Sequence, residues 1–137
     1  IEQSVKTIVE DLNIDSLEWI LSYQSRVGPL KWIGPPTDDV IIQNSKKGKN
    51  IVLVPIAFVS EHSETLVELD IEYKKLAKDN GCEKYIRVPA LGINKDFINT
   101  LSNIIINKDL NNFKEDILSP KNKCPSKFNK CPCQLNE

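Results

Sequence analysis

The chain has 137 residues, 40% of them hydrophobic, with 18 Lys and Arg against 19 Asp and Glu for a net charge of −1. That is enough apolar material for one ordinary domain core. The even balance, with lysines scattered rather than blocked, gives no reason to expect a nucleic-acid partner, and no apolar run approaches the roughly 20 residues that span a bilayer.

Taken in order, Ile1, Val5, Ile8, Val9 and Leu12 form a helical stripe ending near Asn13. Leu17-Glu18-Trp19-Ile20-Leu21-Ser22-Tyr23 is predicted as a first strand, its end marked by the Gly28-Pro29 turn. Thr37 is the expected N-cap of a helix through Asp38, Asp39, Val40 and Ile41, closed by Lys46, Lys47 and Gly48. Residues 51–58 are β-branched and apolar on both faces, as a central parallel strand should be. A long helix is expected from Ser60 to Asn80, with Gly81 as its stop. Lys84-Tyr85-Ile86-Arg87-Val88 reads as a third strand, and Phe97, Ile98, Leu101, Ile104 and Ile105 as an amphipathic helix. The alternation predicts an α/β fold, a parallel sheet flanked by helices and joined by right-handed crossovers. Ligands of such sheets lie beyond the carboxyl ends of the strands. Residues 24–36, 60–64 and 89–94 are therefore expected on one rim.

The long helix carries the chemical clue. Glu61, Glu64, Glu68 and Glu72 recur at steps of three and four, which on an α-helix makes one acidic face. Leu66, Leu69, Tyr73, Leu76 and Ala77 make the opposite, core-facing stripe. Most acidic faces are only solvated surface. Here, however, the lysines (Lys74, Lys75, Lys78) fall in the last turns, where they complement the helix dipole, and the N-terminal acids lack helical partners. Such a face, with His62 beside it, suits a cation.

The stretch Pro55-Ile56-Ala57-Phe58-Val59-Ser60-Glu61-His62-Ser63-Glu64-Thr65-Leu66-Val67-Glu68-Leu69-Asp70-Ile71-Glu72-Tyr73 resembles the signature region of ferrochelatase. Tyr23-Gln24-Ser25-Arg26-Val27-Gly28-Pro29-Leu30-Lys31-Trp32-Ile33-Gly34-Pro35 resembles a second motif of that family, in the same order and at a similar separation. The likeness continues through Arg87-Val88-Pro89-Ala90-Leu91 and covers residues 3 to 107. It implies one Rossmann-like half of a class II chelatase fold, and an enzyme that inserts Fe²⁺ into protoporphyrin IX to make haem, a lyase of porphyrin biosynthesis. Such insertion needs weakly held metal and acceptors for two pyrrole protons. The resemblance makes Glu64 the inner metal ligand or proton acceptor, with His62 and Glu61 as its imidazole and acidic partners, and Glu68 and Glu72 as an acidic track toward solvent. Without the motif, His62 would read as a surface or capping residue.

Trp32 matches a cleft-facing tryptophan of the family and is expected as a wall of the porphyrin slot, although loop tryptophans often fold onto nearby apolar surface. Gln24, Ser25 and Arg26 sit at the strand end as substrate-binding candidates; Arg26 could meet a propionate or remain a solvated charge.

Three thiols, Cys124, Cys131 and Cys133, lie within ten residues of the tail. Four cysteines with no secretion signal do not read as a disulfide framework. Some family members hold a 2Fe–2S cluster with three C-terminal cysteines and one from the first half, and the spacing here looks like a bacterial arrangement of that kind. Zinc-bound or free thiols are the other readings, and Cys82 reads as a buried small residue. The chain has a single His and opens on Ile1 without any Met. Ferrochelatases are about twice this long and carry their other key histidine in the first half, so the resemblance implies that this is the C-terminal half of a longer enzyme, inactive alone, with residues 1–107 as the chelatase domain and 108–137 as an extension packed on the missing N-terminal half. The expected location is the cytoplasm, with peripheral contact with the inner membrane left open. The rival is a stand-alone α/β metal-binding or redox module with a Cys-rich tail; coproporphyrin is the alternative substrate.

Overall fold

The computed structural model describes residues 1–24 and 33–106. The chain divides into two compact units, Ile1–Gly92 and Ile93–Glu137. The first contains α1 (Glu2–Leu12), α2 (Thr37–Ser45), strand β1 (Ile51–Leu53), a π-helix (Glu64–Glu72) that continues as α3 (Tyr73–Asp79), and strand β2 (Tyr85–Arg87). In the second, α4 (Lys95–Ile106) is capped by Asn94, whose Oδ1 accepts the amides of Asp96 and Phe97 at 2.9 and 3.2 Å.

β1 and β2 pair in parallel, Ile51 with Tyr85, Val52 with Ile86 and Leu53 with Arg87. The ladder is shorter than the apolar runs predict, for a local reason. Pro55 and Pro89 have no N–H to donate, so both strands leave the ladder just before them. Beyond Leu53 the backbone bonds to itself, Ile56 N–H to the Val54 carbonyl and Phe58 N–H to the Pro55 carbonyl. Alternation sends Ile51, Leu53 and Tyr85 toward the helices, while Val52 and Ile86 lie on the other face. The core is Ile41 of α2 with Leu69, Tyr73, Ala77 and Cys82, flanked by those three strand residues and Leu76. Fully burying a side chain such as Ile41 or Leu69 contributes roughly 1.5–3 kcal/mol.

Two expectations fail here. The predicted first strand, residues 17–23, does not join the sheet. Only Tyr23 forms a bridge, and it is with Pro36: Tyr23 N–H donates to the Pro35 carbonyl, and Thr37 N–H to the Tyr23 carbonyl. Strand propensity reports a side chain's fit to a pleated surface, not which backbone will pair with it. Nor is Thr37 an N-cap. Pro36 occupies that position in extended conformation, and the buried Thr37 opens the helix with its hydroxyl donating to Ser22 Oγ at 3.0 Å.

Gly81 does stop α3. Its φ of 97° is open to glycine at little cost, and its amide and that of Cys82 bond back to Lys78 and Ala77.

The largest departure is the winding of residues 64–72, where hydrogen bonds reach five residues rather than four. The buried positions of the long helix are Thr65, Leu69, Tyr73 and Ala77, a strict step of four. On an α-helix such a stripe would drift about 40° per step. The wider π turn rotates the same step the other way, so a π segment followed by an α segment keeps all four against the sheet. This corrects the predicted core face. Leu66, three residues before Leu69, turns outward and is 48% exposed, while Thr65 takes its place at 0%.

Candidate active site

The rim beyond the strands' carboxyl ends is built by three chain segments. Residues after β1 approach residues after β2, with Gly92 N–H donating to the Val59 carbonyl at 2.7 Å. Residue 24 reaches the same helix from the other segment, Gln24 Nε2 donating to Glu68 Oε2 at 2.8 Å.

The turn that carries His62 and Glu64 is held from within. Helical bonding begins at His62, whose carbonyl accepts Leu66 N–H, rather than at Ser60 as expected. The Thr65 hydroxyl accepts the His62 amide at 2.9 Å and donates to the His62 carbonyl at 3.0 Å, so one buried side chain satisfies two backbone groups at a helix start. His62 Nδ1 accepts the Glu64 amide at 3.2 Å. A neutral imidazole that accepts at Nδ1 carries its proton on Nε2. The ring also meets Phe58 edge to face, centroids 4.6 Å apart. Thus His62 is oriented and offers an N–H, a donor for an oxygen anion rather than a ready metal ligand.

The four acids do not form a single ladder. Glu61 precedes the helix. Its Oε1 accepts Arg87 Nη1 at 2.6 Å and the Ala90 amide at 2.8 Å. The Thr65 hydroxyl, the Arg87 guanidinium and the Ala90 amide lie beside this carboxyl and hold it down at about 2. The single Thr65 proton already goes to the His62 carbonyl, so the guanidinium and the amide are the donors the geometry supplies. Glu68 is half-buried and bridges Gln24 to the Tyr73 hydroxyl, which donates at 2.9 Å. Burial, and then this bond to Glu68, push the Tyr73 phenol well above its ordinary range, so it stays a donor. Glu64 and Glu72 are exposed. Among the described residues no three His, Cys, Asp or Glu side chains converge as a metal site.

Two residues the sequence left aside complete the site. Arg87 ends β2 with its side chain only 8% exposed, forked onto Asp70 of the π-helix through Nε (2.7 Å) and Nη2 (2.5 Å). A charged residue on the inward side of an apolar strand is the signal that could have found it. Cys82 is buried as expected, its thiol against the Lys84 carbonyl. Ser25, Arg26 and Trp32 lie outside the described residues, as do Cys124, Cys131 and Cys133.

A parallel α/β unit with an oriented imidazole and an exposed carboxylate at the start of a π-helix defines a domain with an acid–imidazole rim. The chain belongs to the ferrochelatase family, whose model matches residues 1–109. It is 68% identical over 133 residues to a ferrochelatase of Pelagibacter ubique, covering 97% of this chain and 39% of that protein. Ferrochelatases of Rickettsia prowazekii and Rickettsia bellii are each 50% identical, over 98% and 97% of this chain and 40% and 38% of theirs. The chain thus spans about two fifths of the length of these relatives.

Proposed function

We propose that this chain is the carboxyl-terminal portion of a ferrochelatase, and that the complete protein inserts Fe²⁺ into protoporphyrin IX to form haem. The observation that carries this reading is an exposed Glu64 carboxylate two residues from His62, whose ring is oriented by the Glu64 backbone amide, at the sheet's carboxyl rim in a chain of this family. Insertion removes two pyrrole protons and delivers a cation to the ring nitrogens. Glu64, at the first turn of the π-helix, would take a proton or hold the incoming metal through oxygen, a ligand weak enough to release it. His62, with its proton on Nε2, would steady the negative charge beside it. Glu72, exposed at the last residue of the π-helix, would extend the acidic track, while Glu68 serves it by fixing Gln24 and Tyr73.

The same reading gives the tail thiols a role. Cys124, Cys131 and Cys133 are soft donors suited to three positions of a 2Fe–2S cluster, whose fourth ligand would come from the rest of the protein. Cys82 is not that ligand, because its thiol is enclosed in the core.

The test is Glu64→Gln in the full-length protein, assayed with Fe²⁺ and protoporphyrin IX. Removing an ionisable oxygen at constant volume should lower insertion by at least about a hundredfold while porphyrin affinity stays close to wild type. Turnover near wild type would sink the assignment of Glu64.

A further inference from the structure

Glu61 is one residue from His62 and three from Glu64, and on sequence it belongs with them as a third reacting group. Its contacts point elsewhere. Oε1 is shared by a guanidinium nitrogen and a backbone amide, both from the strand and loop 26 to 29 residues further along the chain. Arg87 is committed in turn. Three of its nitrogens face protein carboxylates, two on Asp70 and one on Glu61, and Nη1 lies 3.4 Å from the Val88 carbonyl. A guanidinium so occupied and so little exposed is not free to receive a substrate carboxylate.

We propose that Arg87 and Glu61 are positioning residues: the guanidinium, forked onto Asp70 of the π-helix, grips Glu61 and thereby fixes the turn that carries His62 and Glu64. The clamp ties together the pre-helical turn, the helix, the end of β2 and the loop at Ala90. It rests on the function proposed above and assigns Glu61 no proton transfer in it. The fork is specific to arginine, because a lysine ammonium is a point charge that cannot present two parallel bonds to Asp70 and a third to Glu61. Reacting groups displaced by about 1 Å can lose a hundredfold in rate, so a loosened turn would be read in kcat.

The experiment compares Arg87→Lys, Glu61→Ala, Glu61→Gln and Glu64→Gln in the full-length enzyme. It uses steady-state insertion of Fe²⁺ into protoporphyrin IX, and amide hydrogen exchange over residues 60–66 and at Ala90. Arg87→Lys and Glu61→Ala should lower kcat by about tenfold or more with porphyrin KM within about threefold, and should speed exchange at those amides by about tenfold or more. Glu61→Gln keeps an oxygen that accepts both bonds, so its kcat should fall no more than about fivefold. Glu61→Gln as impaired as Glu64→Gln would overturn the proposal, since the amide keeps an accepting oxygen for the clamp and loses the charge and the capacity to take a proton. Lower thermal stability with wild-type kcat and exchange in Arg87→Lys and Glu61→Ala would overturn it as well. If the wild type inserts no metal, the functional reading fails by itself and exchange alone decides the clamp. Faster exchange in the two disruptive variants then supports it, and unchanged exchange refutes it.

Discussion

At the residue scale, the side chains around the rim divide by whether their polar atoms are already used. Glu61, Glu68 and Arg87 are committed to protein partners, whereas the Glu64 carboxylate is exposed and His62 keeps a ring N–H. That division separates groups that shape the site from groups that can act in it. His62→Ala tests the second class. It removes one edge contact with Phe58 and one acceptor for the Glu64 amide, a loss of about 1 kcal/mol in stability. On the proposed function, metal insertion by the full-length protein should fall about tenfold or more. Retained activity with a large drop in melting temperature would instead make His62 a structural residue of the helix start.

At the element scale, the π-helix decides what the rim looks like. Its winding buries Thr65, which braces the His62 backbone, and places Asp70 against Arg87. An α-helix through the same residues would have turned Leu66 inward. The clamp on this helix also makes a prediction about acid stability. The Arg87 hydrogen bonds hold Asp70 below its usual value, and Glu61 is lowered from 4.5 to about 2. Carboxyls depressed in the folded state contribute stability that is fully present above their unfolded values and is lost as pH falls through the folded ones. The melting temperature should therefore decline between about pH 4.5 and pH 2, and Glu61→Gln should flatten that decline. Parallel curves for the two proteins over this window would show that Glu61 makes no such contribution.

At the scale of the whole molecule, the chain spans about two fifths of its relatives, and two of its features point outside itself. Val52 and Ile86 leave one sheet face apolar and exposed among the described residues, and the cluster proposed for the three tail thiols needs a fourth ligand. The second feature can be measured. Replacing Cys124, Cys131 or Cys133 with Ser in the full-length protein should each abolish the proposed cluster, because a neutral hydroxyl does not replace a soft thiolate. Cys82→Ser should leave it in place. Iron and acid-labile sulfide, together with visible absorption, report the outcome. A colourless wild type prepared without oxygen, or cluster loss in the Cys82 variant alone, would make the tail a zinc or free-thiol segment.

The α/β class, the helices at residues 2–12 and 37–45, the Gly81 stop and the family itself were legible in the residue order, because apolar periodicity, glycine and long motifs act locally. So was the meeting of the segments that follow β1 and β2, since a parallel sheet sends its loops to one end. The structure alone decided three things. Tyr23 alone of residues 17–23 bridges, to the Pro36 turn rather than to the sheet, because a strand's partner is a matter of spatial proximity. Residues 64–72 wind as a π-helix, because only packing four-spaced side chains on the sheet favours the wider turn. And Glu61 faces Arg87 rather than joining an acidic ladder, because charges 26 residues apart meet only once the two strands have paired.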